Sequence, residues 1–165
     1  MAVPDKTIDP KILDCAKAEF LEKGYMNASL RQICANAGVT TGALYKRYSG
    51  KEALFKALVQ DVLDDIEKVI SDRHVDYSKE TLTDTQLYHM WTLTEGYLDW
   101  WYNFLLERKD AFTLLLKCSE GTQYQSFQHD LVERICEETY RCYTAAATRG
   151  LVRNDISRRE LHVLT

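Results

Sequence analysis

Between residues 40 and 51 the sequence TTGALYKRYSGK sets two threonine hydroxyls, two small residues, two phenols and three cations around a Ser-Gly break. No nucleophile stands beside a base here, and no set of metal ligands is spaced for an ion, so the chemistry on offer is non-covalent recognition of an anion. Thr40 and Thr41 place hydroxyls at the start of a helix, where free backbone N–H groups favour a phosphate. Gly42 and Ala43 are small enough for the backbone to approach a large partner closely. Tyr45 and Lys46 lie one turn on, within reach of a phosphate or a base edge. Lys51 opens the next helix, and Arg31, early in the preceding one, can clamp a neighbouring phosphate. Leu44 and Tyr48 read as core, and Arg47 as a solvated or salt-bridged charge.

The elements that hold these groups are helical. Both prolines, Pro4 and Pro10, come early, and no alternating β-branched run follows. A first helix is expected over about 8–23, with Asp9 as cap, Pro10 in the first turn and Gly24 as terminator. Ser29 caps a second helix whose Leu30, Ile33, Cys34 and Ala37 form one apolar face, and Gly38 stops it. Thr40 or Thr41 caps a short third helix, which Ser49 and Gly50 end. A fourth runs from Lys51 to about Val75 on a stripe of Leu54, Leu58, Val62, Ile66 and Ile70. A polar linker is expected at 76–84, then two or three helices over about 85–117 and 122–148, ended by Gly150. Ser157 starts a last one, and the chain stops inside its amphipathic pattern. Two short helices joined by a Gly-containing turn match the helix-turn-helix pattern, whose second helix enters the major groove.

Charge agrees with that reading. Residues 1–51 carry eight Lys/Arg against five Asp/Glu, +3, so of the net −4 the remaining 114 residues carry −7. From Gly24 to Lys51 there is no acid at all. A basic module on an acidic body is the layout of a protein that meets a polyanion at one end. No run of about 18 apolar residues predicts a membrane span, and the N-terminus lacks the apolar segment of a secretory signal. Five cysteines without a CxxC pair point to a reducing cytoplasm. Sequence patterns for hydrolases, zinc peptidases and nucleotide-binding folds are missing, and the four histidines are scattered. No enzyme activity, cofactor or metal is therefore expected.

The second half is aromatic. Residues 87–105, LYHMWTLTEGYLDWWYNFL, suit an apolar cavity for a flat or cationic ligand. Its candidate lining is Trp91, Thr94, Leu98, Trp101, Phe104, Phe112 and Phe127. Gly96 inside the helix costs about 1 kcal/mol against alanine and is read as room for a neighbouring helix or ligand.

The segment GYMNASLRQICANAGVTTGALYKRYSGKEALFKAL resembles the N-terminal domain of the TetR/AcrR family of transcriptional regulators, over about residues 8–58. The resemblance implies an all-α fold: a three-helix DNA-binding domain (1–55) joined through a long fourth helix to a helical ligand-binding and dimerisation domain (56–165). It assigns the DNA-facing role to Arg31, Thr40, Thr41, Gly42, Tyr45, Lys46 and Lys51. It further implies a homodimer on a roughly palindromic double-stranded operator, most often a repressor released by a small effector, here an apolar or aromatic one. One departure is the last helix, about nine residues long where the family has a longer one for dimerisation, as if the chain were truncated there. Two alternatives stand beside it: a thiol-based redox-sensing regulator on the same scaffold, and a helical interaction protein that does not bind DNA.

Overall fold

The computed structural model describes residues 8–72, 83–89 and 95–164. The described residues are helical, with no strand among them. In chain order the helices are α1 (Ile8–Asn27), α2 (Leu30–Ala37), α3 (Thr41–Tyr45), α4 (Lys51–Asp72), α5 (Asp84–His89), α6 (Glu95–Glu107), α7 (Lys109–Lys117), α8 (Phe127–Thr148) and α9 (Arg158–Leu164). They fall into two compact units, one formed by Met1–Lys68 with Leu105–Phe127, the other by Val69–Phe104 with Gln128–Thr165.

In the first unit α1 packs on α2 and on α7. The core is built from Ile12, Ala16 and Phe20 of α1, Ile33 of α2, Leu44 of α3, Leu54, Phe55 and Val59 of α4, and Leu114 and Leu115 of α7, all buried. Four rings close it. Phe55 meets Phe20 edge-on at 5.3 Å and Tyr25 at 5.5 Å, and stacks on Tyr124 at 6.1 Å. The buried stripe of α4 thus runs Leu54, Phe55, Val59, Val62, Ile66, while Leu58 and Ile70 are only half-buried.

Gly24 does not end α1 but bends it. Its φ of 71° and ψ of 165° lie in a region that is essentially glycine's own, and helical structure resumes as far as Asn27. Arg108, at φ −112° and ψ 17°, separates α6 from α7. The helix expected from Thr122 begins instead at Phe127. Ser119 Oγ donates to Leu115 O and Thr122 Oγ1 to Ser119 O, both at 2.7 Å. Such local bonds offer the backbone an alternative to helix.

In the second unit Leu87, Phe104, Cys136, Cys142, Tyr143, Ala146 and Leu161 are buried. Tyr143 ties the turn after α8 in place: its hydroxyl donates to Arg153 O at 2.8 Å and accepts from Ile156 N–H at 3.0 Å. Two capping boxes open helices here. Thr83 with Gln86 starts α5, and Ser157 with Glu160 starts α9. Residues 76–82 of the expected linker, and Val75, lie outside the described residues.

Candidate nucleic-acid interface

The helix-turn-helix is held to α1 by one buried carboxylate. Glu19, 3 % exposed, accepts from Lys23 Nζ at 2.9 and 3.0 Å and from Ser29 N–H at 3.0 Å. Ser29 then caps α2, its side chain accepting from Gln32 N–H. Burial raises the Glu19 pKa, but the hydrogen bonds from Lys23 and Ser29 and the Lys23 charge together more than reverse it, so the carboxyl titrates below its ordinary value. The unfolded chain therefore takes up this proton first. The stabilisation by Glu19 is complete above the ordinary carboxylate range and fades as pH falls through the lowered folded value. Glu19→Gln should cost about 1–3 kcal/mol at neutral pH and less in acid. Urea unfolding at both pH values checks this; a cost equal at the two would refute it.

Gly38, at φ 68°, turns the chain out of α2, and Val39 N–H donates to Cys34 O at 3.0 Å. Thr40 is the cap of α3, its hydroxyl accepting from Ala43 N–H at 3.1 Å. Thr40 is exposed, as is Thr41, but the Thr40 hydroxyl is engaged by that bond. A Cβ placed on Gly42 would meet only Thr40 Oγ1, at 3.9 Å, so the fold itself does not require glycine there. Leu44 is fully buried, and the next residue, Tyr45, is 57 % exposed.

The cations divide by partner. Arg31 and Lys46 are exposed and make no ion pair among the described residues. Arg47 is salt-bridged: Nε lies 2.5 Å from Asp9 Oδ1 and Nη1 donates to Ala43 O. Asp9 thus pairs with Arg47. Burial first, then the Asp9 charge, pushes the phenol of half-buried Tyr48 up, with Arg47 opposing. Lys51 is half-buried and also has work inside the fold. Its Nζ donates to Met26 O and Ala28 O, each at 3.1 Å, and lies 4.6 Å from the centroid of the Tyr25 ring. No feature of the sequence signalled that contact, which joins residues 23 and 25 positions apart.

Of the aromatic candidates, Trp91 and Thr94 lie outside the described residues. Leu98, Trp101 and Phe104 sit on α6 in the second unit, Phe112 on α7 and Phe127 at the start of α8 in the first. Phe104 and Phe112 are buried, Trp101 and Phe127 half-buried, and Leu98 is half-exposed. Sequence reasoning passed over Trp100, which stacks on Phe104 at 5.3 Å and meets Trp101 edge-on at 5.1 Å. Its i, i+4 spacing from Phe104 was the available signal. Trp101 meets Phe104 at 5.6 Å, so the three rings form one cluster. A Cβ on Gly96 would meet nothing within 4 Å, so no neighbour needs a glycine there. A separate cavity of about 420 Å³ in the first unit is lined by Lys17, Leu58, Asp61, Val62, Arg108 and Leu114 among others, and by none of the aromatic candidates.

The five cysteines form no disulfide. Burial pushes the thiols of Cys34 and Cys118 up, Lys117 opposing at the latter, which keeps them from the reactive thiolate form. Cys136 Sγ lies 3.1 Å from His162 Nδ1 and is 2 % exposed. Among the described residues no group of three or more His, Cys, Asp or Glu could hold a metal ion, and no helix is long and apolar enough to cross a membrane.

Residues 12–58 match the family model for bacterial regulatory proteins of the tetR family. Over 58 residues the chain is 36 % identical to the HTH-type transcriptional regulator UidR of Escherichia coli (strain K12). Residues 12–58 are thus similar to the N-terminal domain of the tetR family of bacterial regulatory proteins. That alignment covers 35 % of this chain but only 28 % of UidR. A second relative, the HTH-type transcriptional repressor DhaR of Mycobacterium sp. (strain GP1), is 32 % identical over 69 residues, 42 % of this chain and 35 % of DhaR. The likeness of fold runs past the matched segment. SCO3833, a TetR-family member from Streptomyces coelicolor A3, superposes with a TM-score of 0.58 over 99 % of this chain and 74 % of its own, at 23 % identity. The family is one of regulators, not of enzymes.

Proposed function

We propose that this protein is a ligand-responsive transcriptional repressor that binds a palindromic operator as a homodimer. The observation that carries the reading is the exposed, acid-free face of the helix-turn-helix, where Arg31, Tyr45 and Lys46 stand with no ion-pair partner among the described residues. Thr41 and Gly42 flank them, and Thr40 and Ala43 set the start of α3. Lys51 contributes from the first turn of α4. A palindromic site needs two such faces related by a two-fold axis, hence a dimer. Repression follows the habit of the family, and DhaR carries that designation in its name.

By function we divide the chain at 55/56. Every group assigned to DNA precedes that point, and the effector and dimer contacts are assigned to 56–165. The effector site centres on the ring cluster of α6, with Trp91, Thr94 and Leu98 as further candidates. Its ligand is small, flat and apolar. Binding would act on the operator by favouring one of two conformations.

Selection of bound duplexes from a randomised pool at moderate salt tests the proposal. It should return an inverted repeat, and an aromatic effector should release that duplex while quenching tryptophan emission. A pool without enrichment would remove the DNA-binding reading. Release without any change in emission would remove the effector site.

A further inference from the structure

The turn between α7 and α8 touches the DNA-binding elements at the bend in α1. Tyr25 N–H, left without its helical acceptor by the Gly24 conformation, donates to Cys118 O at 2.9 Å. Met26 lies on Gly121, so closely that a Cβ there would run into Sδ and stand 3.2 Å from Cγ. Gly121 has φ +81°, a conformation that other residues rarely adopt. Tyr124 stacks on Phe55, which in turn meets Tyr25.

The turn is braced by its own hydrogen bonds. Ser119 and Thr122 are both buried, and their hydroxyls bond to Leu115 O and Ser119 O. Thr122 Oγ1 also accepts from Tyr124 N–H at 3.0 Å. Its two buried hydroxyls are thus satisfied within the turn or against the end of α7.

From that turn two routes lead to the groups assigned to DNA. One runs along the chain: Tyr25 and Met26 are followed by Ala28, which is buried, and by Ser29, the cap of α2, two residues before Arg31. The other runs through Lys51, which grips Met26 O and Ala28 O and faces the Tyr25 ring. Both helix starts are therefore referred to the same few atoms of the bend.

We infer that residues 118–124 position the DNA-binding helices, Gly121 and Met26 forming the contact that sets where α2 and α4 begin. The inference rests on the DNA-binding reading and deepens it. Residues 118–124 lie outside the segment matched by the family model, 12–58, so regulation from the second half reaches the reading face by a path additional to α4.

The test is a double-mutant cycle on Gly121→Ala and Met26→Ala, with affinity measured for the selected duplex well below the unfolding transition. Each single variant should bind about 2- to 30-fold more weakly. The double variant should lose less than the product of the two. The salt dependence should stay at the wild-type slope, since no phosphate contact is removed. A merely structural role would lower the unfolding midpoint and leave the affinity of the folded protein unchanged, which would overturn the inference. If Gly121→Ala does not fold, Met26→Ala decides alone, and wild-type affinity in that variant overturns the inference. Wild-type protein that enriches no duplex would overturn the DNA-binding reading itself, and this inference with it.

Discussion

Replacing Tyr45 and Lys46 together by alanine should abolish sequence-specific duplex binding and leave the unfolding midpoint where it was. Tyr45 is 57 % exposed although its neighbour Leu44 is fully buried, and no hydrogen bond or ion pair holds the Lys46 side chain among the described residues. Substitutions at such surface positions usually change stability by no more than about 0.5 kcal/mol. On DNA the two side chains should matter far more: about 1–3 kcal/mol for a base-edge contact, and a salt slope shallower by about one for each phosphate contact removed. Arg47→Ala is the internal control. Because that guanidinium is paired with Asp9 and bonded to Ala43 O, its loss should lower the midpoint while changing affinity little. Competition binding at several salt concentrations, with thermal unfolding in parallel, separates the two patterns. Unchanged affinity in the Tyr45/Lys46 variant would refute the assignment of α3 as the reading helix.

Phe55→Ala should be the most damaging single change to the first unit. The ring is fully buried and meets Phe20, Tyr25 and Tyr124 at 5.3, 5.5 and 6.1 Å. It thus joins α4, both sides of the bend in α1, and the turn after α7. Truncating a buried phenylalanine costs roughly 3–5 kcal/mol, against a total of about 5–15 kcal/mol for a typical domain. Denaturant unfolding reads the loss directly. A cost below about 1 kcal/mol would mean that the rings around it can close the gap, and would refute the central place given to Phe55 here.

The punctuation of the helix-turn-helix was legible because it is local chemistry. Ser29 and Thr40 as caps, Gly38 as the end of α2 and Ser49-Gly50 as the break before α4 each rest on a side chain or a backbone conformation acting within four residues of itself. Ser157 before α9 is the same kind of signal. What failed to show was tertiary. The face of α4 could be placed only to within one position: Phe55 and Val59 are fully buried whereas Leu58 is half-buried, and it is Phe55 that meets the rings of α1 and of the turn after α7. Gly24 was read as a terminator, since nothing in the sequence tells a stop from a bend. Thr122 was read as a helix start, although its hydroxyl turns back to Ser119 O. Lys51 looked like a free cation because the carbonyls it holds lie 23 and 25 residues away. The candidate DNA contacts themselves could be named from residue type and spacing, whereas the ring cluster of α6 needed the structure to bring in Trp100.

Helix α3 is five residues long with a single fully buried anchor, Leu44. A helix of that length does not persist in water by itself; its order is lent by the cap at Thr40 and by the surface on which Leu44 rests. The outward positions 41, 42, 45 and 46 thus take almost no part in holding the protein together. They can be exchanged by mutation with little penalty to folding. On the proposed assignment of α3 to DNA, the sequence read can drift while the architecture stays fixed, and diversification of targets meets no barrier of stability at these positions.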